Sequence, residues 1–401
     1  MKYASIVSMV LLTTLVAVSL AAAGGAAPSE TASQDLLTRG NRTFAVQLYR
    51  QLAIGEENLF FSPHSISAAM AMTYAGARGK TAEEMKRALH FDLDQDRLHP
   101  AFKLLNTGLA AGSDLAGQKL NIANALVLTG DDVSRAYKTL LKDYYDAEIF
   151  PGDLETINAW VRNKTEHKID KILDELDADS VCVILNAIYF KGLWAFPFDK
   201  ERTAEAPFKV SPDRQVTVPL MQRNADFKLL VENDFRALEM PYQGERLSMV
   251  ILLPNQVDGL NSLEQAANEP NLKQWLAALD SRHPRKVRLY LPRFKLETGY
   301  DLVPPFQKMG IAEAFKMPVA DFTGMGWPKG KLRISQIKHK AFVEVNEEGT
   351  EAAAVTAVEM VTKSIMEHPE EFRVDHPFLF LIRDHASGTI LFMGRMVDPG
   401  R

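Results

Sequence analysis

Cysteine is almost missing from this chain of 401 residues: Cys182 stands alone. A single thiol makes no internal disulfide and excludes a thiolate zinc cage. Stability must come from an apolar core instead, and the length is ample for one. Cys182 lies in the apolar run "DSVCVILNAIYF", where a buried thiol packs as a small hydrophobe. Strong charge of one sign is missing too. The 46 basic and 51 acidic residues leave a formal net charge of −5, which argues against nucleic acid or an anionic membrane as main partner. The nine histidines form no H-x-x-x-H pair, and there is no G-x-S-x-G elbow. The stretch "GMGWPKG" (324–330) looks like a phosphate loop, but a strand pattern follows it rather than a helix, so it reads as an ordinary loop. No catalytic constellation stands out, and neither a metal nor a cofactor is expected.

Long hydrophobic runs are absent except at the N-terminus, "MKYASIVSMVLLTTLVAVSLAAAGGAAPSE". Lys2 precedes an apolar run from Ile6 to Leu20, and Ala21-Ala22-Ala23 supplies an A-x-A cleavage site. This is the layout of a secretory signal peptide over residues 1–23. A membrane anchor is the alternative, but the run is short, contains Ser and Thr, and is followed by small residues rather than basic ones. The expectation is a secreted, extracellular protein, a monomer with no membrane partner, whose residues 24–401 form one domain. Asn41 and Asn163 open N-x-T sequons and are candidate N-glycosylation sites.

Further along, "NRTFAVQLYRQL" carries apolar residues at helical spacing. Pro63 and Gly76 bracket an Ala/Met-rich helix whose small side chains suggest deep burial. Thr81 and Glu84 have the spacing of a capping box. Ile157, Trp160 and Val161 mark one apolar helix face. "SVCVILNAIYF" and "LSMVILLP" read as strands covered on both faces. "KVRLYLPRFKLE" alternates, but its register changes at Pro292, which suggests a bulge or a sheet edge. "LRISQIKHKAFVEV", "HPFLFLI" and "TILFMGRMV" supply the last strands. Helices lead, strands dominate later, and no βαβ rhythm appears. The fold class is therefore α+β.

Several stretches, in order, resemble the serpins, the large conformational class of serine protease inhibitors. They are "NLFFSPHSISAAMAMTYAGARGKTAEEM", "NAIYFKGLW", "YLPRFKLE", "ADFTGM", "HKAFVEVNEEGTEAAA" and "DHPFLFLIRD…ILFMGRMVDP". The resemblance spans about Asn41 to Pro399, and its general character is similar to secreted arthropod members. One departure is His167 in "KTEHKI", where the family often has Gly; only a local effect is expected. The resemblance implies three β-sheets, eight or nine helices and an exposed reactive-centre loop at about 347–372. It implies a hinge at Glu347, Glu348, Gly349, Thr350, Glu351, Ala352, Ala353 and Ala354. It also implies a polar cluster of Ser62, Ser65, Asn186 and His339 where the central strands part. Arg293 matches the basic partner of Glu347, and Trp194 the aromatic at the top of the opening.

Inhibitory serpins insert this loop into the main sheet after cleavage, and the residues suit that. Alternate positions Thr350, Ala352, Ala354, Thr356, Val358 and Met360 carry no charge. Glu351 and Glu359 fall on the opposite face, and no Pro interrupts the stretch before Lys363. A helical or flexible surface loop is the competing reading, since E-A-A-A favours helix. The family's reactive residue usually lies sixteen places after the hinge glutamate. That position is Lys363, followed by Ser364; the competing basic residue is Arg373. The implied partner is a trypsin-like serine protease held in a covalent complex. A heparin-type polyanion is a further candidate at Arg282, Arg285, Lys286 and Arg288, although the helix the family usually uses, "LHPAFKLLNTGLA", holds only Lys103. The alternative is a non-inhibitory serpin acting as carrier, chaperone or storage protein. A charge on the inserting face would signal that, and none is present.

Overall fold

A computed structural model describes residues 29–113, 118–128, 132–176, 182–350 and 369–401. The segment 1–23, the hinge residues Glu351, Ala352, Ala353 and Ala354, and the bond Lys363–Ser364 lie outside the described residues. The helices are α1 Glu30–Leu52, α2 Pro63–Gly76, α3 Gly79–Ala88, α4 Gln95–Ser113, α5 Arg135–Tyr145, α6 Leu154–Lys164, α7 Leu260–Ala266, α8 Glu269–Asp280 and α9 Val303–Lys308. The first strands are β1 Leu59–Phe61, β2 Lys119–Leu128, β3 Glu148–Pro151, β4 Cys182–Leu193, β5 Ala204–Ser211, β6 Arg214–Val231, β7 Phe235–Pro241 and β8 Leu247–Pro254. They are followed by β9 Arg285–Pro292, β10 Phe294–Asp301, β11 Gln336–Val345, β12 Gly349–Thr350, β13 Glu370–Arg373, β14 Phe378–Asp384 and β15 Ile390–Met396.

Six strands form one sheet in the order β10-β11-β12-β4-β2-β3. Nine form the other along β1-β15-β14-β8-β7-β6-β9-β13, with β5 added on β6. The long β6 serves two groups of strands. Its residues up to Phe227 pair with β5 and β9, and Lys228 to Val231 pair with β7. Counted by strand group, the α+β architecture has three sheets. The register change at Pro292 proves to be neither bulge nor edge: β9 and β10 lie in different sheets, and the chain crosses between them at Arg293.

Strand β4 explains how the layers stack. Its alternate residues Val183, Leu185, Ala187 and Tyr189 pack with Ile157, Trp160 and Val161 of α6. Cys182, Ile184, Ile188 and Phe190 face the larger core, which includes α2. Both faces are covered, as an unbroken apolar run requires. Helix α2 begins as its sequence indicates, with Pro63 in the first turn and Ser62 Oγ accepting from the Ser65 N–H. All of its residues are buried, and at Gly76 a Cβ would sit 2.3 Å from Met325 Cγ.

Three local expectations need correction. Thr81 and Glu84 do not form a capping box: the N-cap of α3 is Arg78, with no side-chain bond. Thr81 Oγ1 accepts from Asp321 N, and Glu84 Oε2 accepts from Ala312 N and Glu313 N, so tertiary contacts take both side chains. Asn41 is buried, and its Oδ1 accepts from Ser67 Oγ at 2.7 Å, so the folded chain has no room there for a glycan. Asn163 on α6 is exposed. The third concerns the loop: Glu347 to Thr350 do not belong to an exposed segment, and Glu370–Arg373 is already β13. His167 adopts φ of 61° after Glu166 at 51°, the left-handed region in which a glycine is unstrained.

Candidate functional site

The site is where two neighbouring strands separate. β4 and β11 pair in parallel from Val183–Gln336 to Tyr189–Phe342. Beyond that point β12 lies between them: Thr350 pairs with Val345 of β11 and with Gly192 of β4, and Gly349 with Leu193. Gly349 has to be glycine here, because a Cβ would fall 2.0 Å from the Gly192 carbonyl oxygen. The hinge thus enters the sheet at one end, while the rest of the β4–β11 seam is closed.

Beneath the closed part lies the polar cluster read from the sequence. Ser62 and Ser65 come from the start of α2, Asn186 from β4 and His339 from β11, and all are buried. His339 Nε2 accepts the Ser62 backbone N–H at 3.2 Å, which places the imidazole proton on Nδ1. Nδ1–H donates to Asn186 Oδ1 at 2.6 Å, and Asn186 Nδ2 donates to Ser65 Oγ at 2.5 Å and Asn124 Oδ1 at 2.6 Å. Ser62 Oγ donates to Leu391 O. Burial pushes His339 down to about 3, consistent with a neutral ring whose two nitrogens are both used. Asn124, on β2, completes the cluster and was not anticipated; a polar residue inside the apolar strand "LNIANALVL" was the available signal.

Around the hinge the expected pair is present. Arg293 Nη2 meets Glu347 Oε1, and Thr203 Oγ1 donates to the same oxygen at 2.7 Å. Burial raises the Glu347 carboxyl, but the bonds from Arg293 and Thr203 outweigh it and hold the carboxyl below its usual range. Lys200 reaches Glu348 at 2.5 Å. Trp194 is buried, its Nε1 donates to Asn346 O at 3.0 Å, and its N–H donates to Glu348 O at 2.9 Å. Thr203 and Lys200 have no signal in the sequence, because segment 194–203 meets the hinge only in the folded chain.

Elsewhere, Cys182 is buried and its thiol is pushed up to about 12 by desolvation. Of the four basic residues read as a polyanion candidate, Arg285 pairs with Glu370 and Lys286 with Asp226. Glu239, Asp280 and His385 lie close enough to hold a cation, but Arg383 already occupies that place, at 2.5 Å from both Glu239 and Asp280.

Comparison with known proteins gives a consistent result. The family profile described as "Serpin (serine protease inhibitor)" matches residues 39–399. Serpin B8 of Homo sapiens is 40% identical over 384 residues, covering 91% of this chain and 100% of that protein. Iripin-2 of Ixodes ricinus is 39% identical over 376 residues, covering 90% and 93%. The likeness to an arthropod member is therefore no closer than to a human one. Among solved structures, human thyroxine-binding globulin complexed with thyroxine superposes with a TM-score of 0.82 at 29% identity, covering 92% of this chain and 100% of that one.

Proposed function

Since the chain belongs to the serpin family of serine protease inhibitors, we propose that it is a secreted suicide-substrate inhibitor of trypsin-like serine proteases. The observation that carries this is the parted seam. Thr350 is seated between β4 and β11, and in the sequence that follows it every second residue from Ala352 to Met360 is uncharged.

The proposed sequence of events is as follows. The protease serine attacks the Lys363 carbonyl, the peptide bond to Ser364 breaks, and the new amine at Ser364 leaves with the serine's proton. The protease remains as an ester on Lys363. The loop then extends β12 downward, each residue pairing with β4 on one side and β11 on the other. This drags the protease away and distorts its catalytic geometry, so water does not complete the hydrolysis. The seam must open for this, and the β4–β11 ladder together with the cluster around His339 holds it shut. The resting state is then a kinetic trap.

Incubation with trypsin tests the proposal. An inhibitor gives an SDS-stable complex, whereas a carrier-type serpin is only cut. The C-terminal fragment should begin at Ser364; a fragment beginning at Val374 would identify Arg373 as the bait. Secretion and a glycan on Asn163 belong to the same proposal and are read from the mass of the exported protein. A heparin-type partner has less support, because two of its four basic residues are already paired with carboxylates. A flat salt-elution profile on heparin resin removes it.

A further inference from the structure

Thr350 is fully buried, and its Oγ1 lies 2.8 Å from the hydroxyl of Tyr242, which is equally buried. Nothing in the sequence marks Tyr242. It follows β7, where its N–H donates to Leu247 O and its backbone bridges Trp194. Its ring stacks on Trp194 at 4.6 Å and meets Phe190 edge-on at 5.0 Å. The ring is thereby fixed on both sides. Among the described residues Thr350 is the only hydrogen-bond partner of its hydroxyl. If the hinge left the sheet, a buried phenol would lose its partner, which is costly in an apolar site.

We propose that Tyr242 is a positioning residue whose hydroxyl latches Thr350 in the sheet. The protein then rests with the first residue of the inserting strand already in place. The consequence for inhibition rests on the loop-insertion reading above: after cleavage, insertion extends a strand that is already seeded, and so runs ahead of deacylation.

The test uses the full-length protein with Tyr242→Phe, Thr350→Val, Thr350→Ser and the Phe/Val double variant. Hydrogen–deuterium exchange of the peptide covering residues 346–350 is read first, because it reports hinge seating without any protease. Losing one buried hydrogen bond should speed that exchange about five- to tenfold in the Phe and Val variants. Thr350→Ser keeps the hydroxyl and should match wild type. The double variant should be no worse than the worse single, since both remove the same bond. Amides of β8 and β14 should not change. Wild-type exchange in Tyr242→Phe overturns the latch, as does an additive loss spread over the whole chain, which would indicate a structural role only. The second measurement is the number of inhibitor molecules consumed per trypsin trapped. It should rise about twofold or more in Tyr242→Phe, with the association rate unchanged; no rise overturns the seeded-insertion consequence. If wild type traps no trypsin, the inhibitory reading fails, while the exchange experiment still decides the latch.

Discussion

Acid should loosen this protein through His339, and the hydrogen bonds around its buried ring set the sign. The ring lies between Ser62, whose N–H needs an acceptor at Nε2, and Asn186, whose Oδ1 needs a donor at Nδ1. A second proton would turn the acceptor into a donor facing an N–H. Asn186 cannot rotate to help, because its amide nitrogen is held by Ser65 and Asn124. The group stays neutral in the folded protein down to about 3, against 6.5 for a free side chain. The unfolded chain therefore binds the proton first, and folding stability is full above pH 6.5 and falls as the pH drops toward 3. Each pH unit in that window costs about 1.36 kcal/mol, roughly 2 kcal/mol by pH 5 and about 5 kcal/mol as a ceiling. His64 and His99, each pushed to about 4 mainly by burial, act with the same sign. Urea unfolding at pH 7.5, 6 and 5 should show this loss of stability. His339→Gln should be less stable at neutral pH but should lose less on acidification than wild type. The His339 ring should show no NMR titration above pH 4. Equal acid slopes in the two proteins, or a midpoint near 6.5, would refute the reasoning.

Other outcomes follow from single positions. Thr350→Arg puts a charge at a fully buried site at a cost of several kcal/mol; trypsin should then cleave the protein without being trapped, and wild-type complex yield would argue against insertion at this residue. Gly349→Ala places a Cβ 2.0 Å from the Gly192 oxygen and 2.8 Å from Leu193 Cα. The hinge must then leave the sheet, which fast exchange at residues 346–350 would report. Cys182, buried with its thiol near 12, should resist a disulfide reagent at pH 8 in the native protein and react with one equivalent in denaturant. Labelling of the native form would show that β4 opens at its start.

The sequence on its own determined those elements whose partners are near in the chain or generic in kind. The unbroken apolar run of β4 requires cover on both faces and receives it from α6 and from the core around α2. The small side chains of α2, with Pro63 and Gly76 at its ends, specify a helix with no exposed face. The alternation after Glu347 shows which loop residues can face inward. Local spacing misleads where a distant partner competes: Thr81 and Glu84 have a capping-box pattern, yet they bind backbone groups of residues 321 and 312–313. The sequon at Asn41 fails for the same reason, because Ser67 takes its side chain. At Pro292 the pattern showed that the strand was broken but could not show that its two halves lie in different sheets.

Only the tertiary structure decided which residues of the hinge are already in the sheet, and what holds them there. Tyr242, Thr203 and Lys200 are ordinary letters in the chain. They gain a role because folding brings residues more than a hundred positions apart to within hydrogen-bond distance of Thr350, Glu347 and Glu348. Burial gives each such bond its importance, since a polar group deprived of water must find its partner inside the protein. That condition depends on the surroundings in space, which no local pattern of residues records.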